Sequence, residues 1–475
     1  MSSSGALREA AAGAPEPRPT NQLPDFARSA ELAAHTVAEW PADRPIRLAK
    51  KTSNLFRYRQ DADAVLDLSA FDGVYSVDAD NLRASVGGLT TYENLVARTL
   101  PYGVSPMCVP QLRTITLGGA VTGLGIESPS FRNGCPHETV VAMDVLTGTG
   151  EVVRAEPHGE HSDLFYGFPN SYGTLGYALR LEIEVEPVSR YVAMTHVPCG
   201  DYVTAVEVMD IAAAQRSWDG QAVDFIDGTV FGPGETYVTL GRYTDEPGPT
   251  SDYTGMEIYY RSVQQRTADR LSVHDYLWRW DTDWFWCSRA MGAQNPYIRR
   301  FWPKSKLRSD VYWKLVALDR KYAFSAKLDR IRNRPPREPV VQDVEVPLDT
   351  LPEFLDFFDK EVGISPVWLC PLQQRDPEAH WSLYSFDPDI RYVNVGFWST
   401  VPRTDGGDPT DGRVNRAIEA EVTRLGGRKS LYSTSFYDRD DFYRIYGGDE
   451  YWKLKDRYDP DGRFAELYDK CVSAI

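Results

Sequence analysis

The chain has 475 residues, 42% of them hydrophobic and 25% charged, with a net charge of −16. That length favours two domains, and the acidity excludes a nucleic-acid surface and a general attraction to anionic lipid, leaving room for a local basic patch. Six cysteines, at 108, 135, 199, 287, 370 and 471, form no CxxC pair, which suits reduced thiols and argues against a disulfide framework or a zinc site.

Residues 1–30 begin Ala/Ser/Pro-rich, lack a basic-then-apolar leader pattern, and are expected to be a disordered tail. A helix is expected over 31–40, followed by the strand-like 46–48 and the basic-hydroxyl loop Lys50-Lys51-Thr52-Ser53-Asn54. A short apolar strand is expected at 65–68. Residues 74–86 alternate about an Asp-Asn turn and predict a hairpin, and 91–100 have helical spacing. Then comes TITLGGAVTGLGIES, 114–128, with four glycines behind a β-branched run. Such a backbone can press against a ligand and turn its N–H groups toward it, which suits a flat, diphosphate-bearing cofactor; turns and tight packing use the same residues. A second hairpin is expected over 140–155, and SYGTLG precedes an alternating strand at 179–185. These elements predict an α+β first domain over 31–189, without the strand–helix alternation of a Rossmann unit.

From about 190 the order becomes strand 191–197, helix 202–214, and a hairpin of 223–231 with 237–243. It returns as strand 340–346, helix 351–360, and strands 367–372 and 392–398. Two such βαββ halves predict a ferredoxin-like antiparallel sheet with helices on a single face, forming a substrate or cap domain over 190–447. An aromatic- and Arg-rich helical insertion spans roughly 250–335, and residues 448–475 are expected to return to the first domain. No apolar run approaches the ~20 residues needed to cross a bilayer. A cytoplasmic protein is expected, with peripheral contact to the inner face of the membrane open to it.

In this order, the basic-hydroxyl loop, the hairpin ending in Val-Gly-Gly, TITLGGAVTGLGIES, Gly134 and SYGTLG resemble the flavin-binding domain of the vanillyl-alcohol-oxidase, or PCMH, type. In the second half, HDYLWRW, VVQDVEVP, SPVWLCPL and EYWKLKDRYDPDGRFAELYDK resemble the sterol side-chain Δ24-reductase branch and its bacterial relatives. Some of those relatives reduce methylene-branched fatty acyl chains to methyl-branched ones with FAD and NADPH. The resemblance implies that Lys50, Lys51, Thr52, Ser53 and Asn54 lie by the FAD pyrophosphate. It implies that Thr116, Gly118, Gly119, Gly123, Gly125, Ile126 and Ser128 follow the diphosphate toward the isoalloxazine. Gly134, Thr174, Gly176 and Ile183 would complete the contacts. This chain has Thr-Ser-Asn where covalent relatives carry His, and Leu112-Arg113 where others carry Cys, so non-covalent FAD is expected.

Reducing an isolated alkene needs a hydride for one carbon and a proton for the other, in a dry, electron-rich pocket. Aromatic faces favour a nearby cation by ~0.5–2 kcal/mol each. HDYLWRWDTDWFW can supply such faces, an acid through His274, Asp275 or Tyr276, and a clamp through Arg279; dense packing explains the same residues. Gln342 and Asp343 are polar residues in a strand that otherwise looks buried, so they face either substrate or a structural network. Trp368 and Cys370 favour core packing, and Tyr432 and Tyr437 are further donors. His158 and His161 sit in a turn of poor ligand spacing, and no metal is assigned.

There is no GxGxxG nicotinamide fingerprint, so NADPH is expected to dock transiently. Arg289, Arg299, Arg300 and Lys304 either meet its phosphates, or the lipid's, or form a solvated face. The expected reaction is reduction of a 10-methylene fatty acyl group to its 10-methyl product, with a lipid methyltransferase as an upstream partner. A sterol-like side chain, an alcohol or sugar oxidase, and a flavin-bearing scaffold are the alternatives.

Overall fold

Strand β6 (Tyr177–Pro187) is the axis of the first sheet, because its alternation buries Leu179, Leu181, Ile183 and Val185 in one row. It pairs antiparallel with β2 (Arg83–Gly87), β3 (Val104–Pro106) and β4 (Val140–Leu146). β1 (Val74–Asp78) and β5 (Val152–Ala155) complete the order β1-β2-β6-β4-β5, with β3 beside β6. The expected hairpins are thus β1–β2 and β4–β5. This computed structural model describes residues 23–41, 44–50, 56, 57, 65–322, 327 and 331–472. Lys51, Thr52, Ser53, Asn54 and residues 1–22 lie outside the described residues.

Helix α1 (Phe26–Ala38) starts inside the expected tail, because the Asp25 carboxylate accepts from the Ala27 and Arg28 amides and Ala30, Ala33 and Val37 turn inward. The tail boundary at residue 30 is corrected accordingly. The strands expected at 46–48 and 65–68 reduce to one bridge, Leu48 with Leu66. Thr91 caps α2 (Tyr92–Thr99). The glycine run itself winds into α3 (Leu117–Gly123), where the Thr116 hydroxyl accepts from the Gly119 amide.

The second sheet has eight strands in the order β12-β7-β11-β10-β14-β15-β13-β16. Its first half is β7 (Tyr191–Cys199), α4 (Tyr202–Gln215), β10 (Phe225–Gly232) and β11 (Glu235–Thr244); a small ribbon of β8 (Ser217–Trp218) and β9 (Gln221–Ala222) follows α4. The second half is β13 (Arg337–Pro347), α6 (Leu351–Glu361), β14 (Val367–Leu372) and β15 (Tyr392–Pro402). The halves join through β10 and β14, while β12 (Ala268–Ser272) and β16 (Arg428–Lys429) extend the edges. Helices α4, α6 and α7 (Arg413–Arg424) cover one face, burying Met209, Ile226, Val344, Phe354, Phe397 and Ile418. The fold is α+β, and the other face of the sheet shares its core with the first domain and the insertion.

The insertion carries α5 (Ser309–Tyr322) and is fastened by two buried ion pairs, Arg279–Asp227 at 2.6 Å and Arg299–Asp283 at 2.8 Å. Helix α8 (Gly448–Tyr458) binds the first domain: the Lys455 ammonium donates to the Thr174 carbonyl at 2.9 Å and to Asp459 at 2.5 Å.

Candidate functional site

A cavity of about 650 Å³ lies where the glycine run faces the second sheet. That volume is in the range of small-molecule sites. The first domain contributes Leu48, Lys50, Gly88, the stretch from Thr114 to Glu127, and Tyr172. The sheet supplies Asp343, Trp368 and Trp398, the insertion Trp284 and Phe285, and the C-terminal region Ser430, Tyr432, Ala465, Tyr468, Asp469, Lys470 and Val472. The aromatic wall is continuous: Phe285 lies 4.3 Å from Trp398 and 5.4 Å from Trp368 between ring centroids.

Backbone strain concentrates here. Of nine non-glycine residues with positive φ among the described residues, four line the cavity: Leu124, Tyr172, Trp284 and Phe285. Left-handed backbone costs such residues ~1–3 kcal/mol each and persists where the surroundings impose it, often at functional sites. Trp284 and Phe285 are adjacent, so their strained turn aims two consecutive rings at one cavity.

On the first-domain side, Lys50 Nζ donates to Thr116 Oγ1 at 2.7 Å. A Cβ on Gly119 would stand 2.9 Å from that hydroxyl and 3.1 Å from the ammonium, so glycine leaves bare backbone beside a cation. Nearby, Gln111 has both side-chain polar atoms buried without a protein partner.

Two carboxyl groups face the cavity without an ion pair among the described residues. Glu127 accepts from the Gln111 amide at 2.8 Å, its other oxygen lacks a partner, and burial pushes its pKa from 4.5 to about 8. On β13, burial, reinforced by the charges of Glu345 and Glu127, holds the Asp343 carboxyl well above the usual carboxylate range. Its Oδ1 has no protein partner. Gly396 lies opposite in the ladder, and a Cβ there would come within 2.6 Å of that oxygen and 2.7 Å of the Trp398 ring. The Trp398 indole donates to the Tyr432 hydroxyl at 2.8 Å, placing a phenol on the same wall.

Of the residues singled out in the sequence, Lys50, Thr116, Gly118, Gly119, Gly123, Gly125, Ile126, Asp343, Trp368 and Tyr432 line the cavity. Among the described residues, the structure does not bring the other candidates to it. The Ser128 hydroxyl turns away to Tyr276, 3.1 Å distant, and Ile183 is core on β6. Gly134 ends a short helix, while Thr174 and Gly176 pack under Lys455 and against β4; Tyr172 and Gly173 take the cavity positions of that motif. His274 pairs with the exposed Asp275, which also binds Ser272 at a helix start. Arg279 is consumed by Asp227, with the Tyr276 ring 3.8 Å from its guanidinium carbon. Gln342 bonds Asn415 on the helix-covered face, opposite Asp343. Glu127 was missed by sequence reasoning; the signal was a lone acid inside a glycine-rich, apolar run.

Residues 26–156 match the family model described as FAD binding domain. This segment is an FAD-binding domain. Over 433 residues the chain is 26% identical to the Delta(24)-sterol reductase of Arabidopsis thaliana, covering 85% of this chain and 76% of that protein. The human Delta(24)-sterol reductase is 25% identical over 421 residues, 84% of this chain and 76% of that protein. Cytokinin dehydrogenase 4 of Oryza sativa subsp. japonica is 30% identical over only 127 residues, 26% of this chain and 24% of its own. By these likenesses the chain is similar to PCMH-type FAD oxidoreductases of the sterol-reductase-like branch. The residues present fit the dinucleotide: a cation beside bare backbone for the phosphates, an unpartnered amide for a ring edge, and flat aromatic walls. No cysteine or histidine among the described residues lines the cavity. No helix among the described residues is long and apolar enough to cross a membrane.

Proposed function

We propose that this protein is an FAD-dependent, NADPH-consuming reductase of a carbon–carbon double bond in a lipid chain. The observation that carries the reading is Asp343, a carboxyl without an ion pair among the described residues, held well above the usual carboxylate range by burial in an aromatic cavity that it shares with the glycine run. Lys50, Thr116 and the backbone of Gly118 and Gly119 hold non-covalent FAD through its diphosphate, together with Lys51, Thr52, Ser53 and Asn54. Once reduced by NADPH, a flavin held here would supply the hydride for one alkene carbon. Asp343 gives its proton to the other, with Tyr432 beside it. Trp284, Phe285, Trp368 and Trp398 seat the apolar chain and keep water out, which favours the neutral acid.

The leading substrate is a 10-methylene fatty acyl group, reduced to 10-methyl and made upstream by a lipid methyltransferase; this rests on the motif resemblance to the bacterial branch. A Δ24 sterol side chain is the second reading, favoured by the names of the relatives that match both domains. Anaerobic NADPH should bleach the purified yellow protein. Methylene-branched lipid or a Δ24 sterol is then added, and the one that restores the colour and gains two hydrogens by mass spectrometry is the substrate class. Flavin that resists NADPH but is bleached by an alcohol overturns the reductase reading.

A further inference from the structure

We propose that the lobe formed by residues 296–322 is a docking surface for an anionic phospholipid bilayer. Half of the exposed large apolar side chains among the described residues, seven of fourteen, lie between 297 and 331. Tyr297 and Phe301 are 84% and 83% exposed. On α5, Leu315, Leu318 and Tyr322 are also exposed at helical spacing, so the helix shows solvent an apolar stripe. Exposed apolar surface of this extent marks an interaction site.

Charge selects the partner. From Trp284 to Arg308 there are six basic residues and no acidic one, in a chain whose net charge is −16. Arg299 and Arg308 are paired internally with Asp283 and Glu93, and Lys304 meets Asp252. Arg289, Arg300 and Lys306 have no ion pair among the described residues. Aromatic side chains beside unspent cations match a headgroup layer: the rings enter the interface and the cations meet phosphates.

The lobe is firmly seated. Arg299 donates to the carbonyls of Gly255 at 2.7 Å and Glu257 at 3.0 Å, and the Trp302 ring packs 6.0 Å from Tyr312 of α5. Trp313 of α5 meets Trp284, which lines the cavity, at 6.1 Å. One aromatic cluster therefore joins the lobe to the cavity wall. If the lipid reading holds, a chain leaving the bilayer here enters directly; docking itself does not depend on that reading.

The test is pelleting of the full, flavin-loaded protein with vesicles of phosphatidylcholine alone or mixed with phosphatidylglycerol. Binding is expected to the mixed vesicles and to weaken with salt. Arg300→Glu with Lys306→Glu should reduce it by about 30-fold or more, at ~1 kcal/mol per cation. Tyr297→Ser with Phe301→Ser should weaken binding to a similar degree, and both pairs should keep their flavin content and melting temperature. No vesicle binding by the parent, or equal binding by the variants, overturns the proposal. So does a parent dimer that the same substitutions make monomeric, which would assign the face to a second copy. Pelleting needs no turnover, so a failed reductase assay leaves this result standing.

Discussion

Where the insertion meets the second sheet, Asp227 of β10 and Asp283 each face a guanidinium, at 2.6 and 2.8 Å, whereas across the cavity Glu127 and Asp343 have no ion-pair partner among the described residues. Asp227, Asp283 and Glu127 are buried, and Asp343 is half-buried in the cavity wall. In the first region each carboxyl group is paired with an arginine, so removing a partner strands a buried charge. In the second, desolvation raises the carboxyl pKa, which is a poor way to fasten a fold and a good way to hold an acid ready. Among these four carboxyl groups, the two that line the cavity are the two without a counter-charge.

That contrast can be broken at either end. The largest effect is expected from Asp343→Asn, which should lower kcat by ~10²–10⁴-fold while flavin content and bleaching by NADPH survive. A kcat within a few-fold of the parent would remove Asp343 from the chemistry. Asp227→Ala should instead cost ~3–5 kcal/mol of stability by orphaning Arg279, seen as a marked fall in melting temperature. Gly396→Ala sharpens the test of position, since its methyl group would crowd the Asp343 carboxyl and the Trp398 ring. A loss of ~10- to 100-fold in kcat with flavin retained is expected from such a displacement.

Glu127 adds a pH dependence. The folded protein holds its proton up to about pH 8, while the unfolded chain releases it near 4.5. The native state then binds more protons between those values, so stability falls as pH rises through that window and is fully present below it. Denaturation of Glu127→Gln across the window should lack that decline. His274→Ala, at the rim of the insertion, should change turnover by no more than about twofold, as surface substitutions do.

The first domain was legible because glycines and alternation report backbone demands directly: β6 and the β1–β2 and β4–β5 hairpins lie where spacing placed them. The repeated βαββ order was equally plain. Strand parity was the missing information in VVQDVEVP, since neighbours on a strand point to opposite faces and Gln342 had to leave the cavity if Asp343 entered it. HDYLWRWDTDWFW was harder still. Its chemistry-bearing start, His274 to Arg279, folds into pairs with Asp275 and Asp227, while its Trp284 and Phe285 reach the cavity through a left-handed turn that composition does not announce. In SYGTLG the sequence points to Thr174 and Gly176, whereas Tyr172 and Gly173 are the residues that line the cavity.

The cavity draws on Pro45 near one end of the described chain and on Ala465, Tyr468 and Val472 near the other, with Val472 bridged to Ser435. A nascent polypeptide therefore has no finished pocket until synthesis has passed Val472. Cofactor capture becomes a late event in the life of the molecule, and a fragment stopped after the first sheet would leave the ribosome colourless.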